Sequence, residues 1–106
     1  MSISYRRYEI LLPRRFNDGR HVPSRLVTET LVELRQRFNA SSCETQTILG
    51  QWQQGETLYH DELVRVFTDV EDTAANRTFF VDLKRRLKSR FEQLDIWLTS
   101  HPIDVL

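Results

Sequence analysis

The sequence is poor in the residues that mark several classes of protein. Its 106 residues include one cysteine, Cys43, three glycines and three prolines. A single cysteine excludes an intramolecular disulfide, and a free thiol is typical of a reducing compartment. Few glycines and prolines, with 40% hydrophobic residues, argue against a disordered or fibrous chain. The fold must therefore rest on apolar burial, and we expect a cytoplasmic protein.

Long hydrophobic runs and a net charge are also absent. The apolar run from Ile10 to Leu12 is too short for a signal-peptide core or a membrane span, so we expect neither export nor membrane insertion. The formal net charge is zero, which argues against nucleic acid as a partner. Arginine concentrates in residues 1–25 and acidic residues concentrate in 41–76, so charge is segregated along the chain.

Hydrophobic periodicity predicts four strands and two helices in one domain that spans residues 1–106. Alternation of apolar and polar residues indicates strands, whereas apolar steps of three and four indicate helices. Gln54-Gly55 marks a hairpin turn between two of the strands. The predicted elements are a strand from Ser4 to Leu12, a helix from Pro23 or Ser24 to Phe38, strands from Thr45 to Gln53 and within Thr57 to Val70, a helix capped by Asp72 or Thr73 that reaches Phe91, and a strand from Leu94 to Thr99.

Several local features add to this outline. The polar run from Tyr59 to Glu62 predicts a bend or bulge within the second hairpin strand. Pro102 predicts the end of the last strand. The predicted core positions are Val64, Val66 and Val70 on that hairpin strand, Leu26, Val27, Leu31, Leu34 and Phe38 on the first helix, and Phe80, Leu83, Leu87 and Phe91 on the second.

This order of elements predicts an α+β fold of the ferredoxin-like type. Two strand-helix-strand units around a central hairpin make a βαββαβ two-layer sandwich, and right-handed crossovers place both helices on one face of a four-stranded antiparallel sheet. The chain also resembles small uncharacterised bacterial ferredoxin-like proteins in which a Gly-x-Trp strand, here Gly50 to Trp52, precedes an acidic hairpin, here Glu56 to Glu62. This resemblance implies a fold rather than an activity.

The candidate catalytic residues are His60 and Glu62. Histidine titrates near neutral pH, and a neighbouring carboxylate can orient it. In an extended strand the two side chains point to the same face. Trp52, on the paired strand, is predicted to be an apolar wall of this site, and Tyr59 is predicted to bind ligand with it. The alternative is a solvated hairpin arm without a function of its own.

Other polar residues give weaker signals. Arg14 and Arg15 precede a helix N-terminus, where an anionic ligand can bind; the alternative, which the single glycine of this loop favours, is a solvated loop. No histidine pair has the spacing of a metal site, so we expect no metal and no cofactor. Cys43 is expected to be inert because the neighbouring Glu44 disfavours a thiolate.

Two functional hypotheses follow from these patterns. Leu63, Phe67 and Trp97 are predicted to face away from the helices, with Leu49 or Leu11, and an exposed apolar sheet face of this kind generally marks an interface. The first hypothesis is therefore a non-catalytic binding or interaction module that forms a homodimer through this face. The alternative is a small dimeric enzyme of the α/β-barrel type in which His60 and Glu62 act on a small molecule. The sequence leaves open whether the protein is an enzyme.

Overall fold

A computed structural model describes residues 3–106 of the chain. Its elements are β1 (Tyr5–Pro13), α1 (Ser24–Phe38), β2 (Ser42–Gln54), β3 (Thr57–Glu71), α2 (Ala74–Arg90) and β4 (Trp97–Ile103). The strands form an antiparallel sheet in the order β2-β3-β1-β4. The predicted α+β, βαββαβ fold is confirmed. No helix within residues 3–106 is long and apolar enough to cross a membrane.

The core lies between one face of the sheet and both helices. Alternate residues of β1 and β3 point into it, because successive side chains of a strand lie on opposite faces. Val64, Val66 and Val70 are buried, as predicted. The helices close this face with Leu26 and Leu34 from α1 and with Phe80, Leu83 and Leu87 from α2. Because both helices pack on the same face, the opposite face of the sheet is left uncovered.

The buried stripe of α1 differs from the predicted one at its centre. Thr30 is fully buried, whereas Val27 and Leu31 are only partly buried. The Thr30 hydroxyl donates a hydrogen bond to the Leu26 carbonyl oxygen at 2.8 Å and accepts one from Arg90 Nη1 at 3.0 Å. A buried hydroxyl is tolerated when its hydrogen bonds are satisfied. The sequence pattern missed Thr30 because hydrophobicity alone does not reveal a partner on another helix.

The predicted bulge occurs in the other strand of the hairpin. The segment from Tyr59 to Glu62 pairs with β2 in unbroken register. The register shifts instead in β2, between Glu44 and Ile48. Because β2 is an edge strand with a neighbour on one side only, extra residues there disrupt fewer ladder hydrogen bonds than they would in β3.

The predicted end of the last strand is also wrong. β4 extends to Ile103, and Pro102 lies within it, opposite Arg6 of β1. Proline cannot donate a ladder hydrogen bond, but an edge strand tolerates it where the missing N–H faces solvent. The sequence alone did not show that this strand lies at an edge of the sheet.

A hairpin arm, residues 48–62, extends past the rest of the sheet. β1 pairs with β3 only from Leu63 to Glu71, so the preceding part of β3 has β2 as its only strand neighbour among residues 3–106. Gly55 has φ of 60° at the first position of the two-residue turn, where L-residues with a side chain are disfavoured. Both faces of the arm are therefore accessible near its base, where the candidate sites lie.

Candidate functional site

The uncovered face of the sheet is charged at its centre. Two guanidinium groups contact the Phe67 ring, that of Arg7 at 4.6 Å from the ring centroid and that of Arg65 at 5.7 Å. Arg7 also pairs with Asp69 at 2.7 Å, and Arg65 pairs with Glu9 at 3.5 Å. Phe67 is thus covered by cations, and the continuous apolar face predicted from the sequence is not present. At one end of this face the apolar side chains of Leu11, Leu63 and Trp97 come together.

That end contains a cleft of about 410 Å³, which we call the two-tryptophan cleft. Strand pairing explains its composition, because Leu11 lies opposite Arg65 on one side and Trp97 on the other, which puts all three on the open face. The loop between α2 and β4 closes one side. The residues that line the cleft include Leu11, Gly50, Trp52, Asp61, Leu63 and Trp97.

The hairpin arm contributes one wall of the cleft through two cross-strand pairs. Gly50 lies opposite Asp61, and Trp52 lies opposite Tyr59, so these side chains share the open face. The Trp52 and Tyr59 rings stack with their centroids 4.2 Å apart and their planes 11° from parallel. This contact orients the Trp52 indole at the edge of the cleft. Trp52 lines the cleft, whereas Tyr59 acts as its support.

Gly50 keeps the floor of the cleft open. A Cβ atom at this position would lie 3.3 Å from Leu63 Cδ1 and 3.9 Å from Asp61 Cβ. The backbone of Gly50 does not adopt a positive φ, so no conformational reason demands glycine there. The absence of a side chain at Gly50 therefore matters because of the space it leaves, not because of the backbone conformation.

The charges that line the cleft are carboxylates. Asp95 forms an ion pair with Lys84 at 3.2 Å and accepts a hydrogen bond from the Ile96 N–H at 2.9 Å. The half-buried Asp61 side chain forms no ion pair or hydrogen bond with any residue from 3 to 106. No lysine, arginine or histidine among these residues lines the cleft. Its electrostatic character is therefore negative, with Asp61 as the charge that no partner offsets.

His60 and Glu62 lie on the other face of the arm. They share a face, as predicted, and line a shallow groove of about 500 Å³ together with Arg15 and Leu49. Arg15 Nε donates to Glu62 Oε2 at 3.3 Å, and both side chains are 43% exposed. The His60 side chain is exposed. The structure thus brings Arg15, His60 and Glu62 together but does not bring Trp52 or Tyr59 to them.

Arg14 and Cys43 lie away from both recesses just described. Arg14 Nη1 donates to Thr47 Oγ1 at 3.0 Å, at the irregular part of β2. Cys43 is half-buried near α1, and its pKa is raised by burial and then by the negative charge of Glu44. A raised pKa keeps the group as a thiol at neutral pH. No cluster of three or more His, Cys, Asp or Glu residues within 3–106 is placed to hold a metal ion.

The sequence interpretation missed Asp61 and Gly50 as members of a site. Gly50 belongs to the Gly-x-Trp strand and Asp61 to the acidic hairpin, both of which the sequence singled out. Function was assigned instead to His60 and Glu62, which lie on the other face of the arm. The signal that was available is the hairpin register, because counting back from Gly55 places Asp61 opposite Gly50 and on the same face as Trp52. Trp97 comes from a strand far along the chain, and its place beside Trp52 had no local signal.

The fold and the cleft define a ferredoxin-like α+β protein with a ligand-sized recess on its open sheet face. No protein-family model matches the chain, and no curated protein sequence matches it. Solved structures do match. A phage SAM lyase in complex with S-methyl-5′-thioadenosine superposes with a TM-score of 0.69 and 14% identity, over 99% of this chain and 93% of that chain. A phage SAM lyase in the apo state gives a TM-score of 0.67 and 15% identity, over 93% of this chain and 81% of that chain.

These comparisons confirm the fold and correct the order of the two functional hypotheses. At such identities the likeness shows a shared fold alone. The non-catalytic interaction module was nevertheless the wrong first choice, because the phage SAM lyase, whose structures superpose on nearly the whole chain, is an enzyme. The alternative, a small enzyme that acts on a small molecule, is the hypothesis that the comparisons favour.

Proposed function

We propose that this protein is a small enzyme that binds an adenosine-containing sulfur compound in the two-tryptophan cleft. The observation that carries the proposal is the cleft itself, which combines two indole rings, an apolar floor and the carboxylate of Asp61, which has no ion-pair partner among residues 3–106. Its volume of about 410 Å³ falls within the roughly 300–1,000 Å³ typical of small-molecule sites. The ligand class is suggested by the SAM lyase that shares the fold and was solved with S-methyl-5′-thioadenosine.

The residues of the cleft suit the parts of such a ligand. Indole faces stack on nucleobases, a contact that any purine can make through its ring surface. Carboxylates such as Asp95 accept hydrogen bonds from ribose hydroxyls. The apolar side chains of Leu11 and Leu63 suit a thioether or its methyl group, neither of which needs a hydrogen bond.

We also propose His60 and Glu62 as an acid–base pair of this enzyme, with Arg15 as the group that holds Glu62. Their groove and the cleft are separated by the thickness of the arm, but Gly50, Gln51 and Asp61 line both recesses. A ligand that reaches over the edge of the arm at Gly50 would meet both faces. This geometry supports a role in proton transfer rather than in binding the nucleoside.

Binding is tested by tryptophan fluorescence. The chain has two tryptophans, Trp52 and Trp97, and both line the cleft, so the emission reports on the cleft without background. Titration with S-adenosylmethionine or S-methyl-5′-thioadenosine should quench or shift it. Gly50→Val should abolish this response, because the added side chain fills the floor of the cleft, while the melting temperature stays within a few degrees of that of the parent.

Turnover is tested on the same proteins by chromatography and mass spectrometry. The parent should cleave the bond between sulfur and the aminobutyrate chain of S-adenosylmethionine: His60 takes a proton from the adjacent carbon, a carbon–carbon double bond forms, and S-methyl-5′-thioadenosine leaves with the C–S electron pair. His60→Gln should slow this release while the fluorescence titration stays unchanged. If the parent neither binds nor converts the nucleoside, the proposed function is wrong. If His60→Gln reacts like the parent, the acid–base role of His60 is wrong, and only the binding of the nucleoside in the cleft is supported.

Association of two copies through the open sheet face stays a prediction, although this face is less apolar than the sequence predicts. The centre of this face is charged, and its most exposed large apolar side chain is Trp97, which is 65% exposed. Sedimentation velocity at tens of micromolar should show about twice the chain mass of 12.7 kDa. A species of 12.7 kDa at that concentration would contradict the homodimer.

A cytoplasmic location likewise stays a prediction, which cell fractionation tests.

A further inference from the structure

We propose that the two-tryptophan cleft selects a cationic ligand over its neutral counterpart, with the Asp61 carboxylate as the recognising charge. For a sulfur nucleoside this means that a sulfonium, such as S-adenosylmethionine, binds in preference to a neutral thioether, such as S-adenosylhomocysteine. The nucleoside part of this inference rests on the proposed function. The charge part rests on the residues of the cleft alone.

The balance of charges in the cleft gives the first reason. Two carboxylates line it, and no lysine, arginine or histidine among residues 3–106 does. Lys84 offsets Asp95, at 3.2 Å. Asp61 has no such partner within those residues, so no side chain of the described part of the chain offsets its charge. An opposite charge on the ligand is then attracted, whereas a neutral ligand gains nothing from Asp61.

The surroundings of Asp61 strengthen that attraction. The carboxylate lies on the same face as Leu63, two residues further along β3, and opposite Gly50 in the register. Apolar neighbours lower the local dielectric constant, so a charge pair in the cleft is screened less than a pair on the open surface. Arg65 lies four residues along β3 on the same face, but its guanidinium is paired with Glu9 and Glu44.

The indole rings favour the same kind of ligand. A cation is attracted to the negative face of an aromatic ring, and tryptophan is the best of the aromatic side chains in this respect. Trp52 and Trp97 enter the cleft from β2 and β4, the two edge strands of the sheet. A sulfonium that carries apolar groups on sulfur can contact the rings and the carboxylate together, whereas a thioether uses only the apolar contact.

The experiment compares S-adenosylmethionine with S-adenosylhomocysteine, which differ by one methyl group and the charge on sulfur. The dissociation constants are measured by tryptophan fluorescence for the parent, for Asp61→Asn and for Glu56→Gln. The parent should bind the sulfonium about tenfold more tightly than the thioether. Asp61→Asn should weaken sulfonium binding about 5–10-fold and leave thioether binding within about twofold. Glu56→Gln removes the same charge from the hairpin turn, outside the cleft, and should change neither constant.

The outcomes separate this inference from the proposed function. Equal affinity for the two nucleosides, or an Asp61→Asn variant that weakens both alike, would overturn charge selection while the nucleoside site stands. If neither nucleoside binds, the proposed function fails, and trimethylsulfonium and dimethyl sulfide are titrated instead. Quenching by trimethylsulfonium alone, lost in Asp61→Asn, would support charge selection without the nucleoside. No response to trimethylsulfonium would overturn charge selection as well.

Discussion

Replacing Phe80 with alanine should lower the free energy of unfolding by about 3–5 kcal/mol. Phe80 is 1% exposed, and its ring stacks on that of Tyr8 with a centroid distance of 3.8 Å and on that of Phe38 at 5.4 Å. It therefore joins α2 to both β1 and α1. Truncation removes the apolar contacts of the ring and leaves a cavity that three elements would have to move to fill. Denaturant unfolding followed by circular dichroism measures the change.

Val81→Ala is the matched control for this prediction. Val81 follows Phe80 on the same helix but is 63% exposed, so its truncation should change the free energy of unfolding by about 0.5 kcal/mol or less. The difference between the two variants then reports burial rather than helix propensity. A Phe80→Ala protein as stable as the Val81→Ala protein would mean that α2 presents a different face to the sheet.

Trp97→Ala should weaken nucleoside binding by about 10–100-fold, since stacking of a base on an aromatic side chain contributes about 1–3 kcal/mol. The Trp97 side chain is 65% exposed and lies on an edge strand, so its removal should change the free energy of unfolding by less than about 1 kcal/mol. A large loss of affinity with little loss of stability is the expected signature of a side chain that serves the ligand. Isothermal titration calorimetry measures the affinity without relying on the deleted fluorophore.

Trp97→Phe separates stacking from the shape of the cleft. Phenylalanine keeps an aromatic face and should retain more affinity than alanine, with a smaller surface to stack on. If Trp97→Ala binds S-adenosylmethionine as tightly as the parent, the ligand does not lie between the two tryptophans. The groove on the His60 face of the arm would then be the next candidate for the binding site.

The open face shows why a correct strand assignment did not predict a correct surface. The sequence placed Phe67 away from the helices, and the structure agrees. What covers Phe67 is Arg7, whose own partner Asp69 lies 62 residues away along the chain. Whether an exposed aromatic side chain forms an apolar patch or lies beneath a guanidinium depends on the cross-strand register. The charged centre of the sheet was therefore not predictable from the pattern within any one strand.

The sequence by itself determined the order of the elements and most of the core. Helical and strand periods are local, so apolar steps in α2 and alternation in β3 identified Phe80, Leu83, Val64 and Val66 correctly. The shared parity of His60 and Glu62 was equally predictable, because it requires only an extended strand.

Only the tertiary structure decided which of these residues meet. The two-tryptophan cleft joins Trp52 from β2, Asp61 from β3 and Trp97 from β4, and no period within one segment relates them. Their meeting depends on the register of β1 with β3 and with β4, and on where the hairpin arm leaves the sheet. Local periodicity sets which way a side chain points, whereas long-range pairing sets what it points at.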